Sequence, residues 1–199
     1  MPLSSLELAL RAGTVAVLLV LAASLYGEFR KVLAGRLAVA FALGSAAHAA
    51  SYSLGAPTEV SGWHAPLIAL STGNVAVFWL FARVLFDEDF HLRWYHGLIW
   101  AAVAGFSLVN CLWIAPSGYA WLSVVASNLI TLAFIVLALT QTMASWSADL
   151  VERRRHVRVF IVCAAALYGG VNALLQIFGS GVSAFVIVCG VLAAVIMAM

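Results

Sequence analysis

Seven apolar runs, separated by short polar breaks, divide the chain at 6–26, 37–54, 65–86, 97–114, 120–146, 159–178 and 183–199. Each is long enough to cross a hydrocarbon core, which needs about 20 helical residues at about 1.5 Å rise per residue. Three of the breaks carry turn chemistry: Gly55-Ala56-Pro57, Ala115-Pro116-Ser117-Gly118 and Gly179-Ser180-Gly181. No linker separates soluble units and no internal repeat is visible. The pattern predicts an all-α integral membrane protein, a seven-transmembrane-helix bundle forming a single domain over 1–199. The first run carries Glu7 and a lone basic residue, Arg11, rather than a basic leader with a cleavage box. It is therefore expected to be a permanent helix. The last run reaches Met199 with no polar anchor after it, so a further portion is expected beyond that point.

Lys and Arg set the orientation. Arg30, Lys31 and Arg36 surround the first break, Arg83 and Arg93 the third, and Arg153, Arg154, Arg155 and Arg158 the fifth. The second, fourth and sixth breaks have none. The positive-inside bias then puts the odd-numbered loops in the cytoplasm, the N-terminus outside and the C-terminus inside. Arg11 dissents, and is expected to pair with Glu7 on one helix face and snorkel to the outer interface. Trp63, Trp94, Tyr95, Trp113, Tyr119, Trp121 and Trp146 fall near the predicted helix ends, where amphipathic rings prefer to lie.

Composition excludes a water-soluble globule. Apolar residues make up 65 % of the chain and charged residues 9 %, with a mean hydropathy of +1.08. Soluble domains carry about 25 % charged residues. The net charge of +2 carries no information about nucleic acid. Cys111, Cys163 and Cys189 all lie in apolar runs without CxxC spacing, which argues against a disulfide framework or a zinc site.

Candidate chemistry lies in the polar residues at membrane depth. Ser45, His48, Ser51 and Tyr52 share one face of the second helix. The third carries Ser71, Thr72 and Asn74, the fourth Asn110, and the fifth Ser127, Asn128 and Thr131. Tyr168, Asn172 and Gln176 recur at four-residue steps on the sixth. Converging faces would hold a small ligand, with His48, Ser45, Tyr52, Asn74, Asn128 and Asn172 as its contacts. Interhelical hydrogen bonds of about 0.6 kcal/mol each account for such residues equally well. A retinal Schiff base is excluded, because the sole lysine, Lys31, is in a loop. Metal hydrolase and bis-histidine haem chemistry both need further ligands at helical spacing beside His48, and none is there. No cofactor, metal or catalytic residue is expected, and no enzyme activity. The core also lacks the carboxylates or paired broken helices of an ion-coupled carrier.

Two cytoplasmic stretches are more distinctive. Phe78-Trp79-Leu80-Phe81-Ala82-Arg83-Val84-Leu85-Phe86 runs into an acidic cluster, Asp87-Glu88-Asp89, and then Phe90. Asp149-Leu150-Val151-Glu152-Arg153-Arg154-Arg155 leads into the sixth helix. Opposite charges on neighbouring loops would pair and fix the inner ends of helices three and six. The plainer alternatives are a topology signal touching anionic lipid and a solvated turn. Together these stretches resemble the N-terminal membrane domain of bacterial AraC-type helix-turn-helix transcription regulators.

The resemblance covers the layout of the whole chain, with its specific motifs confined to the two loops. It implies a location in the bacterial inner membrane and a cytoplasmic DNA-binding module following this domain. Contact with DNA would be made only through that module, which these residues do not contain. The expected function is a sensory or anchoring membrane domain. It would pass a small-molecule or envelope signal inward, with Arg83, Asp87, Glu88, Asp89, Asp149, Glu152, Arg153, Arg154 and Arg155 as transmission residues. A homodimer and the lipid bilayer are the expected partners. Gly169-Gly170 offers a close helix contact within or between chains. The competing expectation is a small-molecule transporter or intramembrane lipid-modifying enzyme using the polar interior.

Overall fold

A computed structural model of the chain describes residues 5–53, 64–87, 90–114, 117, 119–144 and 152–178, excepting the side chains of 6, 7, 52, 53, 120 and 152–158. Six α-helices account for nearly all of them: α1 (Ser5–Phe29), α2 (Leu33–Ser53), α3 (His64–Phe86), α4 (Trp94–Val109), α5 (Ala120–Ala144) and α6 (Glu152–Phe178). All six contain stretches long and apolar enough to cross a membrane. In lipid a chain must satisfy its backbone polar groups internally, and a helix does so within its own segment. The chain is thus a multi-pass, all-helical membrane protein. The predicted crossing at 183–199 lies outside the described residues.

The predicted segments match the apolar cores of these helices, and the sixth agrees residue for residue with the membrane-length span Val159–Phe178. Helix starts differ. α2 begins at Leu33 rather than 37, α4 at Trp94 rather than 97, and α6 at Glu152 rather than 159. Hydropathy marks where lipid begins, whereas the hydrogen-bond ladder continues into the interface. The run Arg153-Arg154-Arg155, expected in a loop, is therefore the opening of α6.

Local contacts explain two of the junctions. Between α1 and α2 the chain turns in three residues, with the Val32 N–H donating to the Phe29 carbonyl at 3.0 Å and Arg36 N–H to Val32 at 3.1 Å. The turn brings Gly35 hard against the Phe29 backbone, where a Cβ would collide. At the start of α4, Arg93 is extended (φ −109°, ψ 159°). Its N–H donates to His96 Nδ1 at 3.0 Å, and its carbonyl accepts from the His96 N–H at 3.0 Å.

α3 is the hub. It packs against α2, α4 and α5 and touches α6, while α1 packs on α2, and α5 on α6. More than half of its membrane span, 56 %, is buried, against 11 % for α1. Two apolar clusters fill one half of the bundle. One joins Phe78 and Ala82 of α3 to Ile135 and Ala138 of α5 and to Val162 and Ala166 of α6. The other joins Leu37 of α2 to Leu80 and Phe81 of α3. Phe41 bridges the two, its ring 5.6 Å from Phe78 and 6.3 Å from Phe81.

Small residues let the helices approach. A Cβ on Gly73 would stand 2.9 Å from Trp100 Nε1 on α4 and 3.4 Å from Ala104. One on Gly169 would stand 3.1 Å from Ile135 on α5, so this glycine serves a contact within the chain, whereas Gly170 has nothing within 4 Å. Large apolar side chains elsewhere face outward, among them Val17, Val20, Trp94, Trp113, Trp121 and Phe178. A water-soluble monomer rarely exposes so much contiguous apolar surface, and a bilayer is its natural solvent.

Candidate functional site

Most of the polar residues that join one helix to another gather toward one end of the bundle. Arg11 lies six residues into α1, Ser71 seven into α3 and Ser127 seven into α5. His48 lies five residues before the end of α2 and Asn172 six before the end of α6. At about 1.5 Å per residue, all are about 8–11 Å from the same end of the bundle. The apolar clusters occupy the other half. Periodicity along single helices could not show this layering, because it arises from antiparallel packing.

His48 is the junction of the layer. Its Nδ1 lies 2.7 Å from Ser71 Oγ on α3, and its Nε2 lies 3.3 Å from Asn172 Nδ2 on α6. One side chain therefore ties three helices together. One turn along, Asn74 Nδ2 donates to Ser45 Oγ at 3.1 Å, and Ser45 donates to the Phe41 carbonyl at 2.8 Å. That second bond uses the Ser45 proton, so its oxygen must accept, and the Asn74 amide orientation follows. Asn74 is 8 % exposed, and its Oδ1 has no hydrogen-bond partner among the described residues.

Of the six predicted contact residues, Ser45, His48, Asn74 and Asn172 come together. Asn128 does not join them: it donates to Gln176 Oε1 at 3.3 Å and to its own-helix carbonyl of Val124 at 2.9 Å, forming a separate α5–α6 tie. The side chain of Tyr52 lies outside the described residues.

Other members of the layer extend it across the bundle. Thr72 Oγ1 and Ser107 Oγ, 2.9 Å apart, join α3 to α4. Asn110 Nδ2 donates to the Ser123 carbonyl at 3.2 Å and to Ser127 Oγ at 3.1 Å, joining α4 to α5. Asn110 opens a five-residue π-helical turn, Asn110–Ile114, at the end of α4. Such widened turns are rare and often mark functional sites. No hydropathy signal in the sequence announces this one.

Arg11 departs from expectation. It is 8 % exposed, buried in the bundle rather than snorkelling at the interface, and it lies within electrostatic reach of His48. α1 packs on α2, which covers the face that carries Arg11.

At the other end of the bundle, the motif running from Phe78 to Phe90 folds into an aromatic clasp. The Arg83 guanidinium carbon lies 4.8 Å from the centre of the Phe90 ring and 5.6 Å from that of Trp79. His96, only 1 % exposed, packs beside the same rings, 5.1 Å from Phe90 and 6.0 Å from Trp79, and lies 4.1 Å from Tyr95. Because its Nδ1 accepts from the Arg93 backbone, its proton sits on Nε2, a buried donor without a partner among the described residues. His96 was placed in a loop by hydropathy. The signal available in the sequence was its position three residues after Arg93, in capping register and flanked by aromatic residues.

Asp87 continues the last turn of α3 through its N–H to the Arg83 carbonyl at 2.9 Å. Glu88, Asp89 and Asp149 lie outside the described residues, and the side chains of Glu152, Arg153, Arg154 and Arg155 are not described. The expected pairing between the acidic cluster and the arginine run falls on these residues. Among the described residues no group of three His, Cys, Asp or Glu is gathered as metal ligands would be.

Fold and site together define a multi-pass helical membrane protein whose interhelical hydrogen bonds gather toward one end of the bundle. No protein-family profile, characterised protein or solved structure matches the chain.

Proposed function

We propose that the chain is the sensory or anchoring membrane domain of a bacterial transcription regulator. In this reading it lies in the cytoplasmic membrane with seven crossings, its N-terminus outside and its C-terminus inside. A DNA-binding module on the cytoplasmic side, joined to the chain or carried by a partner, would act on DNA. The motifs from Phe78 to Phe90 and from Asp149 to Arg155, which resemble the AraC-type membrane domain, and the charge split of the loops support it.

The observation that carries the sensory part is the bridge through His48. α2 and α6 hardly touch elsewhere, yet His48 and Asn172 join them beside Ser71. Interhelical hydrogen bonds in membranes contribute about 0.6 kcal/mol each and about 1.7 kcal/mol at most. The one bond that joins α6 to α2 therefore holds about 0.6–1.7 kcal/mol, enough to shift a two-state equilibrium about three- to twentyfold. A signal that competes for His48 or Asn172 would favour a packing in which α6 is released from α2, through its differential affinity for the two states. α6 begins with the arginine run, so its movement would reach the cytoplasmic face.

Chromatin immunoprecipitation of the tagged, natural-length protein from its own cells tests the proposal. Enrichment of discrete DNA regions, with transcription there altered by His48→Ala, supports it. Absence of any enriched region removes the regulator reading.

A further inference from the structure

We infer that Ser71, His48 and Asn172 form a nucleophile, a general base and a positioning amide for acyl transfer from an ester carried on an apolar chain. The inference goes beyond the sensory reading and does not depend on it. Covalent catalysis by a hydroxyl needs an adjacent base within hydrogen-bond reach and a third group that orients the base. Ser71 Oγ lies 2.7 Å from His48 Nδ1, and the Asn172 amide lies 3.3 Å from the other ring nitrogen.

The use of the hydroxyl protons separates Ser71 from its neighbours. Ser45, Ser51, Thr72, Thr131 and Thr142 each donate to a carbonyl of their own helix three or four residues back. Among the described residues Ser71 has no such bond, and His48 is its one partner. Two proton arrangements fit the geometry. With Asn172 Nδ2 donating to Nε2, the ring proton sits on Nδ1 and points at Ser71, whose own proton is left over in an apolar bundle. With the amide turned, Nε2–H donates to Asn172 Oδ1 and the Ser71 hydroxyl donates to Nδ1. Among the described residues Asn172 makes no other hydrogen bond that holds its amide one way round. The second arrangement uses the ring and hydroxyl protons and leaves Nδ1 ready to take the serine proton, with the Asn172 NH2 turned away from the ring.

The three side chains are half-buried rather than sealed. They sit about 8–11 Å from the helix ends, at a depth that an ester on an acyl chain reaches through the bilayer. In the first step Ser71 Oγ attacks the ester carbonyl carbon while His48 Nδ1 takes its proton. The carbon–oxygen bond to the leaving alcohol then breaks and the proton passes to that oxygen, giving acyl-Ser71 and a free alcohol. Water, deprotonated by His48, next attacks the acyl carbon. A carboxylic acid leaves and the Ser71 hydroxyl is restored.

The test uses the full chain purified into lipid nanodiscs and treated with a fluorophosphonate, followed by peptide mass mapping. One adduct is expected, on Ser71, absent from Ser71→Ala. A general base is worth about 10²–10⁴-fold, so His48→Gln, checked as monodisperse, should slow labelling at least about a hundredfold. Asn172→Ala should cause a smaller loss that Asn172→Asp restores. No adduct at Ser71, or equal labelling of His48→Gln, overturns the inference. Turnover of a long-chain ester in the nanodisc points to a lipid-borne substrate, and turnover of a short nitrophenyl ester to a water-borne one. An adduct without turnover of either ester overturns acyl transfer.

Discussion

Asn74 on α3 lies where a side chain on Gly44 of α2 would have to stand. A Cβ built on Gly44 would overlap the Asn74 amide and come within 2.8 Å of its Cβ. The missing side chain on one helix is thus the space that a buried amide on the next occupies, and the Asn74–Ser45 bond depends on it.

Gly44→Ala should therefore destabilise the bundle by about 1–3 kcal/mol, the usual range for overpacking. Thermal unfolding of the purified protein in detergent measures it. The Asn74→Ala change should recover part of the loss in the Gly44→Ala background. A Gly44→Ala protein that melts with the wild type would show that α2 and α3 do not meet this way.

His48→Ala and Asn172→Ala should each lower stability by about 0.5–2 kcal/mol, given the modest worth of hydrogen bonds inside membranes. The double variant should lose less than the sum, because both changes remove one shared contact. Additive losses in a double-mutant cycle would mean the two side chains act independently.

His96→Ala removes a fully buried ring from among Trp79, Phe90 and Tyr95. A loss of about 2–4 kcal/mol is expected, as for other large-to-small core changes. His96→Phe keeps the ring and deletes the unpartnered Nε2–H, but leaves the Arg93 N–H without its acceptor. These opposing terms should hold its effect to about 1 kcal/mol. If both variants unfold at one temperature, ring packing is not what His96 supplies.

Arg83→Gln deletes the cation held against Trp79 and Phe90. Such contacts contribute about 0.5–2 kcal/mol depending on desolvation. Quenching of tryptophan fluorescence should change, since Trp79 loses its charged neighbour. An unaltered spectrum and melting temperature would place the guanidinium away from the clasp in solution.

The loops at Arg30-Lys31 and His91 should face the cytoplasm, and the connection at 115–118 the outside. Single cysteines placed there, in a background with Cys111, Cys163 and Cys189 replaced, can be probed with a membrane-impermeant thiol reagent on intact cells. Labelling of residue 31 before cell opening would reverse the orientation drawn from the arginines.

How much of this was legible beforehand follows from what each signal measures. Six of the apolar runs became helices because length and hydropathy report directly on what lipid tolerates. The helix starts at Leu33, Trp94 and Glu152 were not legible, since helical hydrogen bonding does not stop where apolarity does. Ser45 and His48 were read correctly as one face of one helix. Asn128 was grouped with them in sequence but bonds to Gln176 instead, because its partner is chosen by the rotation of α5 against α6.

The amino-acid order alone therefore determined the solvent of this protein, its helical class and the identity of its polar residues. These follow from local composition, which every window of the chain carries within itself. Tertiary packing decided that Arg11 and His96 are buried, that His48 reaches both Ser71 and Asn172, and that the interhelical hydrogen bonds gather toward one end of the bundle and the two apolar clusters toward the other. Those outcomes depend on how antiparallel helices align in depth and rotate against one another. Contacts between residues as far apart as 48 and 172 are set by that alignment and are not written in any single segment.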